Sequence, residues 1–417
     1  MLARSLALLP LAWTLGASLA NAAVIAPGPG NGTSSGEAIS TPELTDASKA
    51  GPLGLDNINC QDLTINAKIS AQNVDFINVD DNYSNASYVT DTLLAFTQRQ
   101  KNWTAAHMPG TKHTNNATYR IAAHYCEPKR GAVANSSLLV ATHGIGFDSS
   151  YWNYSYKKSY SFVRHAASHG YSSLIYDRLG TGESETPSKG GFSTVQAPTE
   201  VAILTQILTQ AKNSNNIGGK KHARIVAIGH SYGSAQSQAV TATSPDLIDG
   251  VVLTGFSTAT QFTATFILSG AYTQANSVSE LSLKDKSGIW LASASKVSNV
   301  QNFIDPSNAD SASIDLARKT EQPVTLGAYA SLASIAAPAS NFTKPVLVLN
   351  GDHDLPFCGA DCQSQSPAIP DGVKMLYPAA SNFTSEIIPL TGHGIVPHRT
   401  GPESHEITLQ WIIDNKL

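Results

Sequence analysis

The sequence has few charged residues and no run of basic ones. Asp, Glu, Lys and Arg make up only 14% of its 417 residues, and the formal net charge is −4. Proteins that bind nucleic acids or anionic membranes cluster Lys and Arg side chains, because they must neutralise phosphates. We therefore expect neither a nucleic acid nor an anionic membrane surface as the partner.

Long apolar segments are also missing, apart from one at the start of the chain. The first 22 residues, MLARSLALLPLAWTLGASLANA, combine a positive Arg4, an apolar stretch at 5–19 and a small-x-small cleavage pattern at 20–22. This stretch is shorter than the roughly 20 residues of a spanning helix, and the C-terminus lacks the apolar tail of a lipid-anchored precursor. We predict a signal peptide at 1–22 and a secreted, extracellular protein without a stable membrane anchor. An uncleaved N-terminal anchor is the alternative.

Cysteine is scarce, with four in the whole chain, and no group of Cys and His has the spacing of a zinc site. We therefore predict no metal. In an oxidising compartment an even number of cysteines favours disulfides, and four cysteines allow three pairings. We favour Cys358–Cys362, whose members are close in sequence. The other pair would then be Cys60–Cys126, which would tie the N-terminal region to the first core strand.

N-glycosylation signals are abundant by contrast. Their density is typical of a eukaryotic secretory glycoprotein that carries glycans on surface loops. The N-x-S/T signals begin at Asn31, Asn82, Asn85, Asn102, Asn116, Asn135, Asn153, Asn341 and Asn382.

The composition and the hydrophobic pattern change along the chain. Residues 23–55 are rich in Gly, Pro, Ser and Thr and predict a flexible tail or propeptide. Apolar and polar residues alternate at 62–69 and again at 119–125, which predicts half-buried strands paired antiparallel. We place the core of the domain at 56–256 and 344–417.

From residue 137 onward, short and continuous apolar runs appear, among them SLLVATHG, ARIVAIGHS, GVVLTGF and KPVLVLNGD. Segments with helical periodicity, such as 199–208, lie between several of them, and 403–417 predicts a closing helix. This alternation predicts an α/β fold with a mostly parallel sheet and helices on both faces. Residues 257–343 are too long for one crossover helix, and we predict a helical cap there, inserted after the sixth strand of the parallel fold.

The run IVAIGHSYGSA contains one serine, Ser231, between Gly229 and Gly233. A serine hydroxyl acts as a nucleophile only when it is exposed, next to a base and near donors for the oxyanion. Glycines on either side permit a tight strand–turn–helix bend that lifts the side chain above the sheet. Ser231 is therefore the candidate nucleophile. A serine that only caps the following helix is the alternative.

A base and an orienting acid follow at the ends of later strands. His393 comes directly after the run IIPL and has glycines on both sides in TGHG, so it is the candidate base. The run VLVLNGDHD supplies Asp354, chosen because the loop must carry a carboxylate beyond the strand end, with Asp352 as the alternative. The order Ser, Asp, His is one of the known orders of a catalytic triad.

The run LLVATHGIG supplies candidate oxyanion donors. His143 and Gly144 close this strand, and the backbone N–H groups of Ile145 and Tyr232 are the two donors we expect. We interpret His143 as a structural hydrogen-bonding residue and His230, inside the serine turn, as a packing residue.

Together these elements resemble the α/β-hydrolase superfamily. His143-Gly144, the run DRLGTGES at 177–184, GHSYG at 229–233, Gly351-x-x-Asp354 and GHG at 392–394 occur in the order of that family over about 115–417. The resemblance implies an eight-stranded, mostly parallel sheet, a cap after the sixth strand and a Ser231–His393–Asp354 triad. It also suggests that Asp177 and the glycines after it shape a turn near the site. In composition the chain is similar to secreted fungal members.

We therefore expect a serine hydrolase that cleaves a carboxylic ester through an acyl-enzyme, without cofactor or metal. We expect a small, neutral or apolar substrate. A peptidase, a lyase or an acyltransferase on the same fold is the alternative, as is a non-catalytic ligand-binding protein. Epoxide or haloalkane hydrolysis is disfavoured, because relatives with those activities have Asp at the position of Ser231. The oligomeric state stays open.

Overall fold

The computed structural model describes residues 51–98 and 102–417. The predicted signal peptide, residues 23–50 of the predicted tail and the signal at Asn31 lie outside these residues. The described part contains the strands β1 (Asn59–Val74), β2 (Lys112–Glu127), β3 (Leu138–Thr142), β4 (Ser173–Tyr176), β5 (Ile225–His230), β6 (Gly250–Thr254), β7 (Thr273–Gln274), β8 (Leu291–Ala292), β9 (Val346–His353) and β10 (Phe383–Gly392).

Its α-helices begin and end as follows: α1 (Ala86–Thr97), α2 (Trp103–His107), α3 (Phe162–Ser168), α4 (Ala197–Asn213), α5 (Tyr232–Thr243), α6 (Thr263–Gly270), α7 (Lys296–Phe303), α8 (Ser311–Lys319), α9 (Leu326–Ser331), α10 (Leu355–Cys358) and α11 (Gly401–Asp414). The predicted strands at 62–69 and 119–125 lie within β1 and β2, and the helical segments at 199–208 and 403–417 correspond to α4 and α11.

The main sheet has the strand order β1-β2-β4-β3-β5-β6-β9-β10. All pairs from β4 to β10 are parallel, whereas β1 pairs antiparallel with β2, and β2 pairs antiparallel with β4. The strands β3, β5 and β6 are buried at every residue, as expected for parallel strands covered on both faces. The predicted α/β-hydrolase fold with a mostly parallel, eight-stranded sheet is confirmed.

Two helical layers cover this sheet. In one, α4 packs on β1 and on α5, and α5 packs on β5 and β6; in the other, α3 packs on β2 and β4, and α11 packs on α3. Apolar residues on the buried side of α4 and α11 (Ile203, Leu204, Ile207, Leu208, Leu409 and Ile412) join the single large core. The layers hold the carboxyl ends of the parallel strands at one edge of the sheet, where ligands bind in open α/β folds.

Both disulfides favoured by the sequence are present. Cys60 on β1 lies directly opposite Cys126 on β2 and is bonded to it, and Cys358 at the end of α10 is bonded to Cys362. The first bond joins the two strands at one sheet edge. The second closes a short loop at the end of α10, the helix that follows β9.

The segment between β6 and β9 contains α6 to α9, as a helical cap requires, and also a small antiparallel pair formed by β7 and β8. The connection between β1 and β2 adds a second covering element. Its helix α1 packs against α6 and β7, and the Tyr83 hydroxyl accepts a hydrogen bond from the N–H of Leu326 at 2.7 Å. The sequence pattern indicated no role for this connection.

Candidate active site

Ser231 occupies a sharp turn between β5 and α5. Its backbone has φ 56° and ψ −116°, a conformation that costs a non-glycine residue of order 1–3 kcal/mol and marks functional turns. A Cβ atom at Gly233 would lie 2.3 Å from the carbonyl oxygen of Thr142, and one at Gly229 would lie 2.4 Å from the Cα of Ser234. Both glycines are therefore required, because the turn closes on itself and presses against the end of β3.

The structure brings Ser231, His393 and Asp354 into one hydrogen-bonded chain. The Ser231 Oγ lies 2.7 Å from His393 Nε2, and His393 Nδ1 lies 2.9 Å from Asp354 Oδ2. A carboxylate only accepts hydrogen bonds, so Nδ1 carries the ring proton and Nε2 is free to accept the serine proton. Ser231 is 7% exposed, and the other two residues are fully buried. The geometry is that of a nucleophile beside an oriented general base.

Asp354, rather than Asp352, lies next to the histidine. The Asp354 carboxylate accepts hydrogen bonds from Asn350 Nδ2 at 3.2 Å and, at the start of α10, from the N–H of Phe357 at 3.0 Å. Asp352 instead accepts from the N–H of Thr391. Asn350 was missed by the sequence analysis, although a polar residue that ends the apolar run VLVL was the available signal.

Close contact between β9 and β10 aligns the acid and the base. A Cβ atom at Gly351 would lie 2.1 Å from the carbonyl oxygen of Thr391, so only glycine lets the two strands meet there. The pairing of β10 with β9 shifts register between Ile388 and Gly392. The strand ends at Gly392, just after this irregularity, and leaves His393 on a loop facing Ser231.

The turn at His143 and Gly144 lies against the nucleophile. A Cβ atom at Gly144 would be 2.9 Å from the Cβ of Ser231. Within residues 51–98 and 102–417, neither the backbone N–H of Ile145 nor that of Tyr232 donates to a neighbouring group. Backbone donors without partners near a nucleophile are what a developing oxyanion needs.

His143 is a neutral structural residue. Its Nε2 lies 3.0 Å from the N–H of Arg178, and its Nδ1 lies 2.9 Å from the carbonyl oxygen of Gly144. Both contacts are hydrogen bonds only if Nδ1 carries the proton and Nε2 accepts. Burial and the nearby Arg178 guanidinium hold the pKa of His143 well below its ordinary value. His230 packs its ring on Tyr151, with the ring centroids 4.5 Å apart.

Asp177 organises the loop after β4, as the resemblance suggested. Its carboxylate accepts hydrogen bonds from the N–H groups of Ser149 at 2.9 Å and Glu183 at 2.8 Å. A Cβ atom at Gly182 would lie 2.1 Å from the same carboxylate. The run DRLGTGES thus forms a turn that packs beneath the loop after β3, close to the candidate oxyanion donors.

Aromatic rings of the cap and of α10 lie close to His393. Ring centroids of Phe357, Phe303 and Phe266 lie 5.6, 6.0 and 6.4 Å from that of the imidazole. Phe303 and Phe266 belong to the cap helices α7 and α6 and are buried. A groove of about 530 Å³ runs between the cap segment 301–307 and the loops of His353 and His393. The surroundings of the base are therefore largely apolar.

The cap is joined to the loop of His393 by one backbone hydrogen bond and by the side chain of His398. The N–H of Gly394 donates to the carbonyl oxygen of Phe303 at 2.6 Å. The buried His398 accepts at Nε2 from the N–H of Gly392 at 3.0 Å and from that of Asp305 at 2.8 Å. The base and the end of α7 are consequently held as one unit.

Three further findings bear on ligands and surroundings. Among residues 51–98 and 102–417, no cluster of three or more His, Cys, Asp or Glu side chains is arranged to hold a metal ion. Within the same residues, no helix has the length and apolar character needed to cross a membrane. The eight sequon asparagines in the described part of the chain are all exposed.

Comparison with known proteins matches residues 138–404, well over half of the chain, to the model of a family described as the alpha/beta hydrolase family. No curated protein sequence matches the chain.

Several solved structures are similar to it at low identity. A thermophilic esterase from Thermogutta terrifontis with bound malate is 13% identical over 72% of this chain and 94% of its own, with a TM-score of 0.49. A hydrolase from Pseudomonas aeruginosa is 16% identical over 71% and 94%, with a TM-score of 0.46. A monoacylglycerol lipase from Paleococcus ferrophilus is 16% identical over 71% and 99%, with a TM-score of 0.45. Similarity at this level indicates no substrate.

Proposed function

Because the chain belongs to the alpha/beta hydrolase family, we propose that it is a secreted serine hydrolase that cleaves carboxylic esters through an acyl-enzyme on Ser231. The observation that carries the proposal is the hydrogen-bonded chain from Ser231 Oγ through His393 to Asp354, at a strained turn between a strand and a helix. The bond of 2.7 Å between Ser231 Oγ and His393 Nε2 is short enough for direct proton transfer from the serine to the imidazole.

In acylation, His393 Nε2 takes the Ser231 proton as Oγ bonds to the ester carbonyl carbon. The carbonyl oxygen becomes an oxyanion, which the N–H groups of Ile145 and Tyr232 would stabilise by hydrogen bonds. Asp354 holds the ring in the reactive tautomer and stabilises the imidazolium. The imidazolium then donates its proton to the leaving alcohol as the bond between the carbonyl carbon and that oxygen breaks, and an acyl-serine remains.

Deacylation repeats the same steps with water as the nucleophile. His393 takes a proton from the water as its oxygen bonds to the acyl carbon, and the same two N–H groups stabilise the second oxyanion. The imidazolium returns a proton to Ser231 Oγ as the acyl–oxygen bond breaks. The carboxylic acid leaves, and no cofactor takes part in the cycle.

The engagement of cap carboxylates by other protein groups supports an ester substrate over a peptide with a free amine. An aminopeptidase needs an acidic side chain that is available to bind the substrate ammonium. The buried Glu321 is already occupied by Ser293, Asn299 and Arg318. Asp305 accepts from the N–H of Ser307 with one oxygen and contacts His353 Nδ1 with the other. Together with the aromatic rings around His393, this supports a neutral or apolar substrate.

Secretion is part of the proposal. Two disulfides fit an oxidising compartment, and exposed sequon asparagines fit glycosylation. Asn85 and Asn102 use only their side-chain oxygens to cap α1 and α2 through the N–H groups of Tyr88 and Ala105. The capping bonds use the oxygen and not the nitrogen to which a glycan is attached, and the Asn85 nitrogen donates only to the exposed Ser84 hydroxyl at 3.4 Å.

A fluorophosphonate probe and a panel of p-nitrophenyl esters and aminoacyl amides test the proposal. We expect the probe to label Ser231 in the folded protein and the esters to be hydrolysed. Ser231→Ala should abolish labelling and lower kcat by about 10⁴-fold or more.

Ser234→Ala is the matched control, because Ser234 lies one turn further on and its hydroxyl only donates to the carbonyl oxygen of Thr254 at 2.8 Å. It should keep labelling and most of the activity. If folded Ser231→Ala hydrolyses the esters as fast as the wild type, the assignment of Ser231 as the nucleophile is wrong. Turnover of amides without esters would overturn the substrate class.

A further inference from the structure

A buried guanidinium lies directly behind the candidate oxyanion donors, and no step of the reaction above uses it. Arg178 is the second residue of DRLGTGES and follows β4, and its side chain is only 3% exposed. An arginine so deeply buried requires a counter-ion and hydrogen-bond acceptors in fixed positions. Its partners therefore indicate what the residue is placed to hold.

Arg178 contacts the residues on both sides of the candidate oxyanion site. Its Nη2 lies 3.4 Å from the carbonyl oxygen of Gly144. Its guanidinium carbon lies 4.7 Å from the centre of the Tyr232 ring, within the range of a cation–π interaction. One expected donor is the N–H of Tyr232, and the other is the N–H of Ile145, which belongs to the same peptide unit as the Gly144 carbonyl.

The planarity of the peptide makes the contact with Gly144 informative. In a trans peptide the C=O and the following N–H point in opposite directions. A carbonyl anchored on one side therefore aims the N–H of Ile145 towards the other. The Gly144 carbonyl is anchored twice, by Nδ1–H of His143 at 2.9 Å and by Nη2–H of Arg178.

Glu200 on α4 completes the arrangement. Its Oε2 accepts from Arg178 Nη1 at 2.6 Å and from Gln236 Nε2 at 2.7 Å. Gln236 lies on α5, the helix that begins at Tyr232, so the carboxylate ties the guanidinium to that helix. Burial raises the pKa of the Glu200 carboxyl, while the adjacent Arg178 favours the charged form. Buried ion pairs contribute little net stability compared with apolar packing, which favours a positional role.

We propose that Arg178, with Glu200 as its counter-ion, is a positioning residue that aligns the backbone N–H groups of Ile145 and Tyr232 for the oxyanion. The proposal rests on the ester hydrolysis proposed above. Removal of the alignment should weaken binding of the transition state while binding of the ground-state ester stays nearly unchanged. Loss of one oxyanion donor lowers kcat by about 10²- to 10³-fold in comparable sites.

The test compares Arg178→Lys and Glu200→Gln with the wild type. Lysine keeps the charge but loses the planar fork, and glutamine keeps the shape of Glu200 but loses its charge. We expect kcat for a p-nitrophenyl ester to fall by about 10- to 10²-fold with KM within about twofold. Affinity for a trifluoromethyl ketone, which forms a tetrahedral oxyanion on Ser231, should fall by a similar factor.

A second buried Arg–Glu pair in the cap provides the matched control. Arg318 Nη1 lies 2.5 Å from Glu321 Oε2, and Glu321→Gln removes the same charge from a carboxylate whose partners Ser293, Asn299 and Arg318 all belong to the cap. This variant should retain the wild-type kcat and ketone affinity, even if its Tm falls as far as that of Glu200→Gln.

Three results separate the possible failures. The inference is wrong if Arg178→Lys and Glu200→Gln fold and keep wild-type kcat and ketone affinity. It is also wrong if Glu321→Gln loses as much ketone affinity as they do. If the wild type hydrolyses no ester, or does so independently of Ser231, the proposed function itself fails, whatever the Arg178 variants do.

Discussion

Acidification should weaken the contact that His398 makes between the loop of His393 and the cap. Neutral His398 accepts at Nε2 from two N–H groups, those of Gly392 and Asp305, and donates from Nδ1 to the carbonyl oxygen of Ile395. A proton on Nε2 would face both donors. Burial lowers the pKa of His398 from the ordinary 6.5 to about 4, against the opposite influence of the Asp305 and Asp352 carboxylates.

The sign and size of the effect follow from this pKa. Because the folded value lies below the unfolded one, the unfolded chain binds the proton first as the pH falls. The stabilisation is complete above about pH 6.5 and is lost as the pH approaches 4. The loss relative to pH 7.5 is about 2 kcal/mol at pH 5 and about 3 kcal/mol at pH 4.

Urea denaturation of the wild type and His398→Gln from pH 7.5 to 4.5 measures this loss. Glutamine offers an oxygen to the same N–H groups but does not titrate. The wild type should lose about 2 kcal/mol more than the variant between pH 7.5 and 5, while other titrating groups cancel in the difference. If the free energies of unfolding of the wild type and the variant differ by the same amount at every pH in this range, the reasoning is wrong.

His405→Gln is a second comparison, because burial lowers the pKa of His405 to about 3 on α11, where its Nε2 contacts the carbonyl oxygen of Tyr160. As the pH falls, the free energy of unfolding of the wild type should decrease relative to that of His405→Gln, as it does relative to that of His398→Gln. At pH 7.5 its kcat should equal that of the wild type, since this contact lies outside the candidate active site.

Gly233→Ala should lower the free energy of unfolding by about 1–3 kcal/mol and abolish ester turnover, because its Cβ would lie 2.3 Å from a carbonyl oxygen at the end of β3. Gly372→Ala, whose Cβ would meet only a hydroxyl at 3.2 Å, is the control and should change neither quantity measurably. Replacement of Cys60–Cys126 by two alanines should lower the free energy of unfolding by about 4 kcal/mol, since that bond closes a separation of 66 residues. The same change at Cys358–Cys362, a separation of 4 residues, should cost only about 2 kcal/mol but lower kcat through the adjacent Asp354. Equal kcat for the two disulfide variants would contradict this last expectation.

Local patterns were sufficient to predict the elements that hold the site. Each of Ser231, Asp354 and His393 follows an apolar run that became β5, β9 or β10, and parallel strands bring their carboxyl ends to the same edge of the sheet. Glycines beside them indicated sharp turns, and the structure explains these by contacts between backbones. The antiparallel β1–β2 pair was likewise readable from alternation of apolar and polar residues.

Contacts between residues that lie far apart in the sequence could not be predicted in this way. No local pattern predicts that Arg178 and Glu200 form a pair, because only the folded chain brings the loop after β4 against α4. The same holds for α1, which packs against α6 of the cap although well over 150 residues of chain lie between them. No periodicity records such contacts, because they depend on how separate elements pack together.

The amino-acid sequence by itself therefore determined the α/β class, the candidate nucleophile and the strand ends at which its partners lie, since these depend on short-range hydrophobic periodicity and on glycine. Tertiary structure alone placed Asp354 rather than Asp352 beside His393, brought aromatic rings of the cap close to His393 and set a guanidinium behind the candidate oxyanion donors. Each of these outcomes depends on distances of a few ångströms between residues far apart in the chain, and close packing of the layers establishes such distances only after folding.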